Sequence, residues 1–337
     1  MSSKKFVVIT SIYVPSEAVK KFSTWSGWEV VVVGDRKTPP DWNCENVTYL
    51  SLEEQHRRFP EIAKSIRENT YTRKMIGYLY AITNGAEMIF DTDDDNLPYD
   101  AAQEIVERMV NPALHPEHQS LQDDSGWVNI YPEFGSQHSW PRGFPLPKIK
   151  TGSPKKVPAN PSLVRSVVQF LADQDPDVDA VYRMVVGDEI LFDKDVFYSL
   201  KPGTYSPFNS QATLWTKETF PLMFFPLEVP DRVTDILRGY CALACLWKMG
   251  HTLSFASPVV YQERNPHNLQ NDFVQETMLY HHAEAWAIEL QKIEGATAQA
   301  LYMGALKKLH ELNYLSELNL SAYRQFIEII NGAAAQK

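Results

Sequence analysis

Between residues 6 and 110 short apolar runs alternate with segments whose apolar positions recur every three or four residues, as strands interleaved with helices do. Residues 6–10, 29–33, 47–50 and 87–90 are apolar, largely β-branched runs of strand length, whereas 16–22 and 71–83 carry helical spacing. Asn69 or Thr70 can cap the second of these helices, and Asn84-Gly85 can close it. Strands and helices interleaved in this way predict a βαβ series, and with it an α/β fold on a mostly parallel sheet. From 111 to 161 the pattern dissolves: prolines at 112, 116, 132, 141, 145, 147, 154, 158 and 161 are interleaved with Trp127, Tyr131, Phe134, Trp140 and Phe144. A loop region this long is usually functional or disordered, and its aromatic content argues for order. Periodicity then predicts a helix over 161–172, a strand over 180–186, a long helix over 232–249 stopped by Gly250, and a strand over 252–261. From about residue 272 the pattern is almost continuously helical. The chain therefore divides into a catalytic-type α/β domain, 1–271, and a C-terminal helical region, 272–337, with a frayed tail.

Composition narrows the function classes. The 337 residues are 44% apolar and 22% charged, as in a soluble globular protein with a sizeable core. A net charge of −10 argues against a broad nucleic-acid surface, which needs a Lys/Arg excess, but leaves room for a basic pocket around one nucleotide. Cys44, Cys241 and Cys245 cannot all pair; the last two lie four apart on a helical pattern and are expected to pack in the core. A reducing compartment fits. Met1-Ser2-Ser3-Lys4-Lys5 runs directly into the first strand, so neither a signal peptide nor a membrane span is expected and the location reads as cytoplasmic.

The candidate chemistry lies in Asp91-Thr92-Asp93-Asp94-Asp95-Asn96, directly behind the apolar run 88–90. Four carboxylates this close repel one another unless protons or a cation neutralise them. Open α/β sheets bind ligands beyond the carboxyl ends of their strands, which is where this cluster falls. An EF-hand fails on Asn96 where the loop needs Gly and on Ala102 where it needs Glu. A solvated acidic turn is the plainer alternative. Oxygen-only ligands favour Mn²⁺ or Mg²⁺ at Asp93 and Asp95, and such an ion stabilises the charge that develops on a departing diphosphate. Asp94 would orient a metal-bound water or a ribose hydroxyl. Arg73 and Lys74, just before that strand, can meet the diphosphate or be solvated helix charges.

Five further segments carry a family resemblance: Asn43-Cys44-Glu45-Asn46-Val47 running on to Gln55, Thr72-Arg73-Lys74-Met75-Ile76-Gly77-Tyr78 running on to Ile82, Ser139-Trp140-Pro141-Arg142-Gly143, Ser206-Pro207-Phe208-Asn209-Ser210, and Asp235-Ile236-Leu237-Arg238-Gly239-Tyr240. With the acidic run, they make the chain, over about residues 6–275, resemble the STELLO family of probable glycosyltransferases. The resemblance implies a GT-A-type, Rossmann-like fold acting on a nucleotide sugar, with the C-terminal helices left uncovered. Plant members carry an N-terminal membrane anchor, which is not expected here, so their Golgi location is not expected to transfer. In the related fold the ends of the first strands hold base and ribose, which points to Thr10, Ser11 and Asp35. An acidic residue opening a late helix faces donor or acceptor sugar there, as general base in inverting enzymes. That residue would be Asp235, with Asp231 as the second choice; the plainer reading of Asp235 is an N-terminal helix charge. Arg238 can touch phosphate or pair with Asp235. A late histidine often reaches the metal, which points to His267, equally readable as a surface loop residue. Arg142-Gly143-Phe144-Pro145 is similar to a segment of the UDP-arabinopyranose mutases in which an arginine becomes glycosylated, and Arg142 matches that arginine. The aromatics at 127–144 would offer flat faces for sugar C–H groups, or only pin the loop.

The reading is a metal-dependent glycosyltransferase moving a sugar from a nucleotide sugar, with UDP as the expected nucleotide, to a saccharide or glycan acceptor. A nucleotide-sugar mutase using Arg142 is the enzymatic alternative. A partner-binding protein that keeps the fold is the third, with the C-terminal helices as the contact surface for a partner or a second copy.

Overall fold

A computed structural model of the chain describes residues 3–109, 119–263 and 268–335. Among the described residues eleven strands form one mixed sheet: β1 (Lys4–Thr10), β2 (Trp28–Val33), β3 (Val47–Leu50), β4 (Ala86–Thr92), β5 (Asn96–Pro98), β6 (Gln119–Gln122), β7 (Lys155–Pro158), β8 (Val164–Asp173), β9 (Phe197–Leu200), β10 (Ala212–Thr216) and β11 (His251–Gln262). Their order is β3-β2-β1-β4-β10-β8-β11-β9-β6-β7, with β5 pairing β11. From β3 to β11 six of seven strands point the same way, because β10 alone is antiparallel to both its neighbours, β4 and β8. This is the expected Rossmann-like, mostly parallel α/β sheet.

The helices are α1 (Glu17–Phe22), α2 (Leu52–Arg58), α3 (Pro60–Ser65), α4 (Lys74–Thr83), α5 (Ala102–Met109), α6 (Ala180–Val185), α7 (Asp231–Lys248), α8 (Leu269–Leu290), α9 (Ala298–Glu311) and α10 (Glu317–Ala335). Alternation along β1 divides them into two layers. Phe6 and Val8 face the core shared with α4 and α7, while Val7 and Ile9 face a second core closed by α1 and α5. Layers of this kind cover both faces of a parallel sheet. The α4 layer sits close because Gly77 faces the sheet: a Cβ there would lie 2.5 Å from Val8 Cγ1 and 2.7 Å from Val33 Cγ2. The terminal helices add Trp286, Tyr302, Tyr323 and Phe326 to the same core.

Two predicted elements exchange type. Residues 161–172 show helical spacing yet form β8, which lies between β10 and β11 and is buried on both faces from Ser166 onward. A strand covered on both faces loses its alternation, and an unbroken apolar run then matches a helical template as well as a strand. Residues 180–186 are expected as a strand but 180–185 form α6, because the Asp179 side chain accepts a hydrogen bond from Tyr182 N–H and caps the turn. Cys241 and Cys245 are buried free thiols on α7, as expected.

Candidate functional site

The carboxyl ends of β1, β2 and β4 open onto a cleft of about 410 Å³, within the usual range for small-molecule sites. It is lined by Thr10, Ser11, Asp35, Asp93, Asp94, Asp95, Arg142, Asp231 and Asp235 among the expected residues. Tyr71, Asp177, Asn209, Gln211 and Gln262 join them, and no sequence motif singles these out except that Asn209 lies in one of the segments quoted above. Their common signal is tertiary, since they come from four separate stretches of chain.

At one end Thr10 Oγ1 bonds the Val33 carbonyl, and Ser11 Oγ donates to Asp94 Oδ2. Desolvation pushes the Asp94 carboxyl up to about 6, against the hydrogen bond from Ser11. Thr38 Oγ1 receives Asp35 N–H and donates to the Ser11 carbonyl, which joins the two strand ends. Tyr13, half exposed, also lines the cleft, as does Lys37.

At the centre Lys74 is wholly buried, with Nζ 2.8 Å from both Asp91 Oδ1 and Asp93 Oδ1. Burial alone would lower the Lys74 pKa; the two aspartates more than offset this and raise it. Lys74 is thus neither a solvated helix charge nor a lining residue, but a cation beneath the cleft that pairs with both Asp91 and Asp93. Tyr71 Oη donates to Asp93 Oδ1 at 2.6 Å, and Asp95 Oδ2 accepts from Gln262 Nε2 at 3.0 Å. Desolvation raises the Asp93 pKa, with Lys74 opposing.

At the far end Arg142 donates from Nε and Nη2 to Asp177 at 2.7 and 2.8 Å, to both oxygens of Asp235 at 3.2 and 3.1 Å, and to the Arg232 carbonyl. Desolvation opposes its charge, but the two carboxylates hold the Arg142 pKa well above its ordinary value. Desolvation likewise raises Asp177, and the charges of Arg142 and Arg232 with hydrogen bonds from Arg142 and Asn209 bring the net shift downward. A guanidinium held this way has no lone pair to attack an anomeric carbon, so its geometry counts against the glycosylated-arginine role. Asp235 does not open α7; the helix starts at Asp231, one turn earlier. Asp231 Oδ1 accepts Tyr71 N–H at 3.1 Å. Although solvent reaches Asp231, the protein crowded around its carboxyl raises the pKa by desolvation, with Asp235 adding and Tyr71 N–H opposing.

Two expected ligand-binding residues sit elsewhere. Arg73 is fully buried, its guanidinium committed to Gln55 Oε1 at 2.8 and 2.6 Å and to the Ala63 and Ile66 carbonyls, where it ties α2 and α3 to the turn before α4. Arg238 is equally buried, bonded to Ser210 Oγ at 2.7 Å and stacked on Trp215, Phe225 and Phe208, with Asp91 Oδ2 3.7 Å away. Neither lines the cleft. The aromatics Trp127, Tyr131, Phe134, Trp140 and Phe144 are buried core residues, so they pin the loop rather than face a sugar. His267 falls outside the described residues.

Seven aspartates line the cleft against Lys37, Arg142 and Arg232, and the last two are already paired, Arg142 as above and Arg232 with Glu276 at 2.8 Å. Among the described residues no three His, Cys, Asp or Glu side chains converge to hold an ion by themselves. One or two carboxylates completed by substrate phosphates is, however, the usual way a protein holds Mg²⁺, so Asp95 with Asp93 fits a divalent ion that arrives with a diphosphate.

The sheet and cleft together define a Rossmann-like α/β protein with an acidic cleft at its strand ends. The chain is 29% identical over 275 residues to the probable glycosyltransferase STELLO2 of Arabidopsis thaliana and 27% identical over 275 residues to STELLO1 of the same plant. The STELLO-type resemblance carried by the motifs is therefore borne out along 77% of the chain. The chain spans about a third of the length of these relatives, 36% and 35% being matched. No family model matches. Among solved structures, glucosyl-3-phosphoglycerate synthase from Mycobacterium tuberculosis with Mn²⁺ and UDP-glucose superposes at a TM-score of 0.42 and 9% identity, over 86% of this chain and 79% of that one. No helix among the described residues is long and apolar enough to cross a membrane.

Proposed function

We propose that the protein is a glycosyltransferase that binds a nucleotide sugar, with UDP the expected nucleotide, through Mn²⁺ or Mg²⁺ at Asp95 and Asp93. One observation carries the reading: the cleft at the strand ends is lined by seven aspartates against three basic side chains, Lys37, Arg142 and Arg232, of which Arg142 is spent on two of the seven, Asp177 and Asp235, and Arg232 on Glu276 outside them. A diphosphate is repelled from such a cleft unless a divalent cation enters with it, and the same cation stabilises the charge on the leaving diphosphate. The plant relatives named as probable glycosyltransferases support the class.

Thr10, Ser11 and Asp35 would hold base and ribose, with Asp94 fixed toward them by Ser11. Asp235, oriented through both oxygens by Arg142, would hold sugar hydroxyls together with Asp177 and Asn209. Asp231 is less constrained than Asp235 and more basic than an ordinary carboxylate, so it is the better general base for an acceptor hydroxyl. Arg142 then serves by positioning these carboxylates. The acceptor would be a saccharide or glycan precursor, and the setting cytoplasmic.

Hydrolysis and transfer assays with UDP-sugars in the presence of Mn²⁺ test this. Asp95→Ala is expected to abolish both while leaving the melting temperature nearly unchanged. Full activity in that variant would refute the metal assignment, and a ring-isomerised free donor or a labelled arginine would establish the mutase instead.

A further inference from the structure

We propose that Tyr71 is a positioning residue that sets the metal-side carboxylate Asp93 and the basic carboxylate Asp231 in one frame; the role rests on the function proposed above. Tyr71 opens a short 3₁₀ turn, Tyr71–Arg73, just before α4. The two residues ahead of it, Asn69 and Thr70, also line the cleft, and Asn69 holds a left-handed conformation with φ 54°. Asparagine tolerates that region better than most residues, so the chain can turn sharply here and project Tyr71 into the cleft.

Each polar end of Tyr71 then meets a different carboxylate. Its hydroxyl donates to Asp93 Oδ1 at 2.6 Å and accepts from Lys74 Nζ at 2.9 Å, while its main-chain N–H donates to Asp231 Oδ1 at 3.1 Å. Lys74 reaches the same Oδ1 of Asp93, so two donors converge on one oxygen and fix the plane in which the other must lie. Lys74 also stands 5.0 Å from the centre of the Tyr71 ring, so the ring is held from below by the cation it helps to orient.

A buried tyrosine hydroxyl usually finds some partner, and that alone would be unremarkable structure. Here the partners are a cleft carboxylate and the lysine that neutralises it, not core groups. The ring has separate support from Phe225, 5.6 Å away, and does not need the hydroxyl to stay in place. Outer partners that orient ligand carboxylates govern how tightly the ion is held. Through its hydroxyl Tyr71 therefore acts on the diphosphate side, and through its backbone on the acceptor side.

Tyr71→Phe removes only the hydroxyl and leaves both the ring packing and the N–H to Asp231. Calorimetric titration of UDP with and without Mn²⁺ reads the role directly, and a thermal melt verifies the fold. The variant is expected to melt within a few degrees of the parent and to bind UDP with Mn²⁺ at least about 10-fold more weakly, with metal-free binding unchanged. In turnover the KM values for donor and Mn²⁺ should rise while kcat at saturation stays within about threefold. Mn²⁺-dependent affinity equal to the parent's, or an equal loss without metal, overturns the role. A parent protein that binds no UDP with Mn²⁺ overturns the proposed function and this role with it.

Discussion

At the scale of the residue, the same side-chain type takes opposite roles according to what packs around it. Arg73 and Arg142 are both buried arginines, yet one ties backbone carbonyls together while the other holds two cleft carboxylates in place. Asp231 offers the clearest test, because its pKa is raised. A general base works only when ionised, so activity should be present above its folded-state pKa and lost as pH falls through it. The acid limb of the kcat profile is therefore expected above the ordinary carboxylate range, and Asp231→Asn should remove that limb while lowering kcat about 10²- to 10⁴-fold. For stability the sign reverses. A raised carboxylate pKa means the folded state binds the proton more tightly, so stability falls as pH rises from the unfolded value through the raised one and is flat above it. Melting curves of Asp231→Asn should lack that decline. Asp93, Asp94 and Asp95 were legible in the sequence because mutual repulsion is local to six residues. Tyr71, Asp177, Gln211 and Gln262 were not, because nothing in their own segments shows which cleft they reach.

At the scale of the element, legibility followed how much of each pattern was local. The strands β1 to β4 and the helix α4 stood out because their apolar periodicity is local and the Asn84-Gly85 stop of α4 lies beside it in the chain, although neither Asn69 nor Thr70 caps α4, which starts at Lys74. The strand β8 did not, since its two covering layers come from distant sequence and erase the alternation by which a strand is recognised. The helix α7 shows how closely such layers meet. A Cβ on Gly239 would lie 2.5 Å from the backbone oxygen of Phe208, which cannot rotate away as a side chain can. Gly239→Ala is therefore expected to destabilise the fold by about 1–3 kcal/mol, despite alanine's better helix propensity, as denaturant unfolding would measure. An unchanged or increased midpoint would show that the 206–210 loop moves freely, and with it Asn209 of the cleft.

At the scale of the whole molecule, the helices α8 to α10 share the core beneath the cleft. Trp286 packs against Tyr240 of α7 at 6.2 Å, Tyr302 Oη bonds the Phe224 carbonyl, and Asn319 Oδ1 accepts Leu227 N–H at 2.6 Å. Trp286, Tyr302, Tyr323 and Phe326 are all buried, and each is worth about 1.5–3 kcal/mol, so their loss together rivals the 5–15 kcal/mol by which a domain is stable. A chain ending at residue 268 is accordingly expected to lose cooperative melting and its near-ultraviolet dichroism; retention of both would make the helices a separable unit. The sequence alone determined the alternation of strands and helices and the acidic cluster at a strand end, because periodicity and like-charge repulsion act over a few neighbouring residues. Only the tertiary structure decided that Lys74 lies under Asp93, that Arg142 is spent on Asp177 and Asp235, and that Arg73 and Arg238 never reach the cleft. Burial and pairing of a charge depend on which distant elements close around it.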